Sequence, residues 1–360
     1  MRHLYLHVPF CNSICYYCDF KRSIYQEEIV YAWLKSIDKE LMSISESQME
    51  TIYIGGGTPT ALNEKQLSHL LTMLDRFTDV NEYTIESNIE SLSFSKVKIM
   101  LEHGVNRISL GVQSLQDSLL QTMNRKHTAA DVFHKIEQLH EWGIHNISCD
   151  FIYGFHNQTK FMWEQDLIKI CTCPYVNHLS LYSLTIEENS VFGKRKQQKC
   201  DSEIEAWMYE RAIQILTANG FHQYEVANFA RGEKESCHNK GYWHYDDFYG
   251  IGLGASGKKG NVRYENCGTI HEYLQGKHQV VKEELSIEDR MFENIMMSLR
   301  LKEGMSITCF NTRYHCDFKE YYKEPLQKNI EKKWLEIKGD YVRTTNQGML
   351  FLHDILIDFL

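Results

Sequence analysis

Short apolar runs rich in β-branched and aromatic residues alternate with stretches of helical periodicity through the first half of this chain, and that alternation limits the fold more than any other feature. Runs suited to strands recur at residues 4–8, 51–54, 83–85, 107–112, 146–152 and 178–184. Between them, residues 27–45, 64–77, 95–102, 129–142 and 160–170 space their apolar side chains along one helix face. A strand and a helix return about every 30 residues, the length a parallel β-α-β unit requires. The pattern predicts an α/β fold with an open (β/α)6 partial barrel, because the alternation weakens after the sixth strand; a doubly wound sheet is the alternative. A further helical pattern over residues 201–219 is followed by an extended stretch at 221–226. Met291, Ile295, Met296 and Leu299 then form a helical apolar stripe, and the tail from 349 to 360 also reads as helix. We therefore divide the chain into a core at 1–235, a glycine-rich connecting region at 236–284, and a small, mainly helical, winged-helix-like domain at 285–360.

In barrels built this way, reactive groups gather at the carboxyl ends of the strands. The unusual residues of this chain fall at those places. Cysteines follow the first strand, Gly55-Gly56-Gly57-Thr58-Pro59 the second, Glu86 and Asn88 the third, and Gln113 the fourth, while Asp150 lies on the fifth. The cysteines form a C-x3-C-x2-C triplet, Cys11, Cys15 and Cys18. Three thiolates on one short loop suit three irons of a [4Fe-4S] cube and leave the fourth iron open to another ligand. A structural zinc site would need a fourth ligand and a second half-site, and none is apparent downstream; His3 and His7 lie in the first strand. Coincidental core cysteines are the third alternative. The Gly-Gly-Gly turn lacks the spacing of a P-loop or a dinucleotide fingerprint. It reads either as a tight strand-to-helix turn or as a place where a ligand approaches bare backbone.

Composition narrows the classes. Among 360 residues, 43% are hydrophobic, which fills real cores, and the formal charge of -9 argues against a nucleic-acid binder that relies on phosphate neutralisation. No run approaches membrane-spanning length and no signal-like segment opens the chain. Eleven cysteines without such a segment suggest a reducing compartment, so a cytoplasmic location is expected. The scattered cysteines at 149, 171, 173, 200, 267, 309 and 316 read as structural.

Taken together, the motifs resemble the radical S-adenosylmethionine (SAM) superfamily, and within it the oxygen-independent coproporphyrinogen oxidase and HemW group. The resemblance rests on Tyr5-Leu6-His7-Val8-Pro9-Phe10-Cys11, the triplet, Ile54 to Thr60, Thr84-Ile85-Glu86-Ser87-Asn88, Gly104 to Ser114, and Asp150-Phe151-Ile152-Tyr153-Gly154. It implies a [4Fe-4S] cluster on Cys11, Cys15 and Cys18, with SAM chelating the open iron through its amine and carboxylate. It further implies that Tyr5 lies near the cofactor, that Gly56, Gly57 and Thr58 meet its methionyl end, and that Glu86 offers an acceptor. Gln113 and Asp150 would bind the ribose, and Arg125 the carboxylate.

Departures from the group's pattern point to one branch. Phe20 stands where the oxidase branch resembles C-x3-C-x2-C-x-C, and the long extension of that branch is absent before Cys11. Ile89 replaces a common proline, and His156-Asn157 a common Pro-Gly. His238, Asn239, Tyr242 and Trp243 match the H-N-x-x-Y-W pattern that HemW-type proteins associate with heme. The resemblance therefore implies a heme chaperone that passes heme to acceptor proteins associated with the respiratory membrane, with cluster-dependent homodimerisation. His238 is the implied axial ligand and Cys237 the adjacent alternative. Coproporphyrinogen III oxidation and radical methylation are the enzymatic alternatives, since fold does not choose among radical chemistries.

Overall fold

The computed structural model describes all residues, 1–360. Six parallel strands form the centre: β1 (His3–Val8), β2 (Thr51–Gly56), β3 (Glu82–Ser87), β4 (Arg107–Gln113), β5 (Ile147–Tyr153) and β6 (His178–Ser183), adjacent in that order. Helices α1 (Glu27–Met42), α2 (Glu64–Leu74), α3 (Phe94–Glu102), α4 (Ala129–Glu141) and α5 (Lys160–Cys171) supply the crossovers. The expected partial barrel is present. Its physical origin is the alternation along each strand. On β1, Leu4, Leu6 and Val8 are fully buried against the helices, whereas His3, Tyr5 and His7 face inward among other polar groups. Helix α1 meets this layer with Val30, Trp33, Leu34, Ile37 and Leu41, spaced as one helical stripe.

The sheet continues past β1. After α6 (Ser202–Ala218), strands β7 (His222–Gln223) and β8 (Asn228–Ala230) extend the β6 edge antiparallel. Helix α7 (Cys237–Trp243) follows, and then β9 (Phe248–Ile251), which pairs parallel to the free side of β1. Strands β10 (Ser256–Lys259), β11 (Val262–Cys267) and β12 (Gln279–Glu284) continue antiparallel to the other edge. Residues 236–284 therefore belong to the main sheet in large part. Sequence patterning misses these strands because β9 is only four residues long with a glycine among them, β10 reads Ser-Gly-Lys-Lys, and every residue of β12 is exposed. Gly250 of β9 lies opposite Tyr5, where a Cβ would stand 1.9 Å from the Ser256 carbonyl oxygen. The twelve-stranded order ends on β12 and β7 without joining them, so the barrel stays open.

A second apolar core begins in α8 (Ile287–Ser298), where Met291 and Ile295 pack against Phe310, Phe318, Leu326 and Val342. It couples short helices to a three-stranded sheet formed by Met305–Ser306, Leu335–Lys338 and Tyr341–Thr344. The small, mainly helical domain expected here is present, with a three-stranded sheet beside its helices.

Candidate functional site

The carboxyl ends of β1 to β6 open into a cavity of about 460 Å³ whose lining includes Cys11, Cys15, Cys18, Gly56, Gly57, Thr58, Glu86, Gln113, Arg125 and Asp150. Nearly all the site residues suggested by sequence thus meet in one place. Tyr5 does not line it: its ring stacks on Tyr53 at 6.1 Å and its hydroxyl bonds His7 Nδ1 at 3.0 Å, inside the barrel. Inward alternation on β1 carries Tyr5 below the rim.

Of the two sequence readings of the glycine turn, the contacts observed are those of a tight turn. Gly57 N donates to the Val8 carbonyl at 2.8 Å and Thr58 N to that of Phe10 at 2.8 Å, so the turn is zipped to the segment entering the cysteine loop. A Cβ on Gly57 would meet the Phe10 carbonyl oxygen at 2.8 Å, and one on Gly56, at φ +107, would strike the His7 ring at 2.6 Å. Bare backbone is required here by β1 itself. Thr58 then donates its hydroxyl to Cys11 Sγ at 3.6 Å and accepts from Asn88 Nδ2 at 3.2 Å.

Burial pushes the Cys11 thiol up to about 11, against the help of Thr58, and raises Cys18 despite the positive charge of Arg22. Neutral thiols at neutral pH become thiolates once a soft metal replaces their protons. Arg125 Nη1 donates to Cys15 Sγ at 3.4 Å and Nη2 to the Gly111 carbonyl at 2.6 Å, leaving the buried Nε without a partner. A guanidinium with an unspent donor at the cavity wall fits a carboxylate ligand.

Two carboxyl groups line the same cavity. Glu86 Oε1 accepts from Tyr53 Oη at 2.8 Å and Oε2 from Gly56 N at 3.0 Å. Burial lifts its pKa to about 7, opposed by the Tyr53 bond and reinforced by Asp150. Asp150, raised by burial and held by the Ser180 and Ser109 hydroxyls, lies on the neighbouring wall. Gln113 sits at φ +68, where β4 slips register against β5. Asp166 anchors the chain just beyond it, accepting from Ser114 Oγ at 2.7 Å and Leu115 N at 2.9 Å, and so offsets a backbone conformation that is costly for a non-glycine residue. Tyr53 and Ser109 are functional neighbours that sequence reading misses; their inward position two residues from Gly55 and Gly111 is the signal that could have found them.

The helix bearing the H-N-x-x-Y-W residues lies elsewhere, at the amino ends of the strands. Glu82 of β3 caps it, accepting from Ser236 Oγ, Cys237 N and His238 N at 3.1, 2.9 and 3.0 Å. His238 is only 1% exposed, and both its ring nitrogens are engaged: Nδ1 with Thr51 Oγ1 and Nε2 with Tyr242 Oη, each at 2.7 Å. Burial and His3 depress its pKa to about 3. A neutral imidazole with two partners has no nitrogen free for heme iron, so His238 does not fit the axial role that the motif suggests. Cys237, next to it, is exposed, and burial and Glu82 raise its thiol pKa.

Residues 5–169 match the radical SAM superfamily and residues 285–351 the HemN C-terminal domain. The heme chaperone HemW of Lactococcus lactis subsp. lactis is 36% identical over 366 residues, covering 99% of this chain and 96% of that protein. The chain belongs to the HemW family. The HemW protein of Bacillus subtilis is 35% identical, with 100% and 99% of the two chains aligned, and that of Escherichia coli 30%, with 99% and 97%. Among solved structures, the radical SAM coproporphyrinogen III oxidase of E. coli superposes with a TM-score of 0.86 at 20% identity, over 99% of this chain and 90% of that one. That likeness establishes a shared fold. No helix is long and apolar enough to cross a membrane.

Proposed function

We propose that this chain is a heme chaperone that carries a [4Fe-4S] cluster and SAM and delivers heme to acceptor proteins. The observation that carries the reading is the full-length likeness to HemW relatives, with 99% of the chain aligned at 36% identity. The cavity supports the cofactor assignment: its lining holds three thiols, a guanidinium with an unspent donor beside Cys15, and two carboxyl groups. No three His, Cys, Asp or Glu side chains converge as a single-ion site would require, whereas a cube receives each thiolate on a separate iron.

Cys11, Cys15 and Cys18 would hold the cluster. When bound, that cluster would supply an electron to SAM. Arg125 would pair with the SAM carboxylate, Gly56, Gly57 and Thr58 would border the methionyl group, and Glu86, Gln113 and Asp150 would accept hydrogen bonds from the amine or the ribose. The buried carboxyl groups also favour the positive sulfonium, since an anion in a poorly hydrated wall gains most from a cation beside it. The proposal assigns no heme ligand on His238, whose two ring nitrogens are already spent on Thr51 and Tyr242. The proposal places the protein in the cytoplasm, with heme acceptors at the respiratory membrane and self-association dependent on the cluster.

Anaerobic purification, cluster reconstitution and parallel assays test it. Heme transfer to an apo-acceptor without conversion of coproporphyrinogen is expected. Decarboxylation of coproporphyrinogen by a protein that takes up no heme would overturn it.

A further inference from the structure

His238 sits where two strands of the cofactor pocket can be held from below. We infer that helix α7 is a positioning element for that pocket, acting through His238 and Tyr53 on Glu86, with His238 taking no part as a heme ligand. The linkage is continuous. The Tyr242 hydroxyl and Thr51 fix the imidazole from both sides, and its face stacks on the Tyr53 ring at 5.0 Å with an interplanar angle of 26°. Tyr53 spends its hydroxyl on Glu86 Oε1 at 2.8 Å, and Glu86 Oε2 in turn holds Gly56 N at 3.0 Å.

Two strands carry this arrangement rigidly. On β2, Thr51 bonds the imidazole and Tyr53 stacks on it, while Gly56 ends the same strand at the cavity. On β3, Glu82 caps α7, and Glu86, four residues on and therefore on the same face, reaches the cavity. Burial demands partners for both ring nitrogens, and because these come from two different elements, β2 and α7, they also fix the plane that the ring presents to Tyr53. Gly241, one turn along the helix from Cys237, allows the His3 ring to close the base; a Cβ there would lie 2.7 Å from His3 Nε2. His238 is a positioning residue: it does not line the cavity, and it sets the angle from which Tyr53 orients the acceptor.

The inference rests on the reading that Glu86 faces SAM. Full-length protein with its cluster rebuilt without oxygen provides the test, with SAM affinity read from the change it induces in the electron paramagnetic resonance spectrum of the reduced cluster. His238→Gln and Tyr53→Phe should each weaken SAM binding by roughly three- to tenfold, the value of one misplaced hydrogen bond. The double variant should lose no more than the worse single variant, because both act through one path. The heme absorption spectrum and affinity of His238→Gln should match the parent. Parental SAM affinity in His238→Gln, additive losses in the double variant, or a shifted heme spectrum would each overturn the inference. Tyr242→Phe removes only the hydroxyl on Nε2 and keeps the ring, so it serves if His238→Gln does not fold: a smaller loss of SAM affinity supports the inference, and none refutes it. Glu86→Gln separates the two readings. Parental SAM affinity there would refute the role of Glu86 itself, whereas a loss there with parental affinity in the other variants would refute the coupling alone.

Discussion

Glu86→Gln should make the ligand-free protein more stable at alkaline pH and slightly less stable at acid pH. Burial holds the Glu86 carboxyl at about 7 against an ordinary value of 4.5. The folded state thus keeps the proton more tightly than the unfolded chain. The stabilising contribution is complete below about pH 4.5 and is lost as pH climbs through about 7. The full shift corresponds to roughly 3 kcal/mol of cost for the charged side chain, which contact with water in the open cavity reduces to about 2. Glutamine escapes that cost. It keeps an acceptor for Tyr53 but turns an amide N–H toward Gly56 N, forfeiting about 1 kcal/mol. The balance is a gain of about 1 kcal/mol at about pH 8 and a loss of a few tenths at about pH 5. Urea unfolding of the cofactor-free chain at the two pH values measures it directly. An effect of equal size and sign at both would refute the reasoning, because it would mean that Glu86 does not titrate between them. The destabilising carboxylate that a cation relieves is then a feature of the binding site, at the expense of the fold.

Glu225 behaves alike without touching the cavity: it is 1% exposed, burial lifts it to about 7, and its Oε1 lacks a partner. Glu225→Gln should stabilise by about 2 kcal/mol more at about pH 8 than at about pH 5, again by urea unfolding. Gly57→Ala should destabilise by about 2 to 4 kcal/mol, since its Cβ meets two carbonyl oxygens of the β1 segment, and iron content after reconstitution should fall with it. Thr58→Val removes the hydroxyl directed at Cys11 Sγ, and a cluster held there should become harder to reduce; redox titration followed by paramagnetic resonance reads the negative shift.

The central strands are legible in the sequence because their outward side chains, Leu4, Leu6 and Val8 on β1 for example, are mostly apolar and recur at crossover spacing. The cavity is legible for a related reason. A fold that places catalytic groups at strand ends allows Cys11, Glu86, Gln113 and Asp150 to be grouped before any coordinate is known. Other features depend on contacts distant in sequence. Nothing local says that Gly250 must clear Ser256, that Gln113 takes a left-handed conformation at a slipped register, or that His238 finds Thr51 and Tyr53 at the far end of the barrel. The H-N-x-x-Y-W pattern in particular marks residue types without saying which of their atoms are already occupied.

The pairing of β1 with β9 bears on how the protein matures. The strand that leads into the cysteine loop lies between β2 and a strand that begins only at Phe248, so one edge of it stays open until most of the chain has left the ribosome. An unpaired edge next to three thiols is a place for misdirected pairing and premature oxidation. Metal loading before β9 docks would act on a loop anchored from one side alone. Assembly of the cluster is therefore expected to follow completion of the sheet, and slowing synthesis between residues 60 and 248 should lower the fraction of chains that acquire iron.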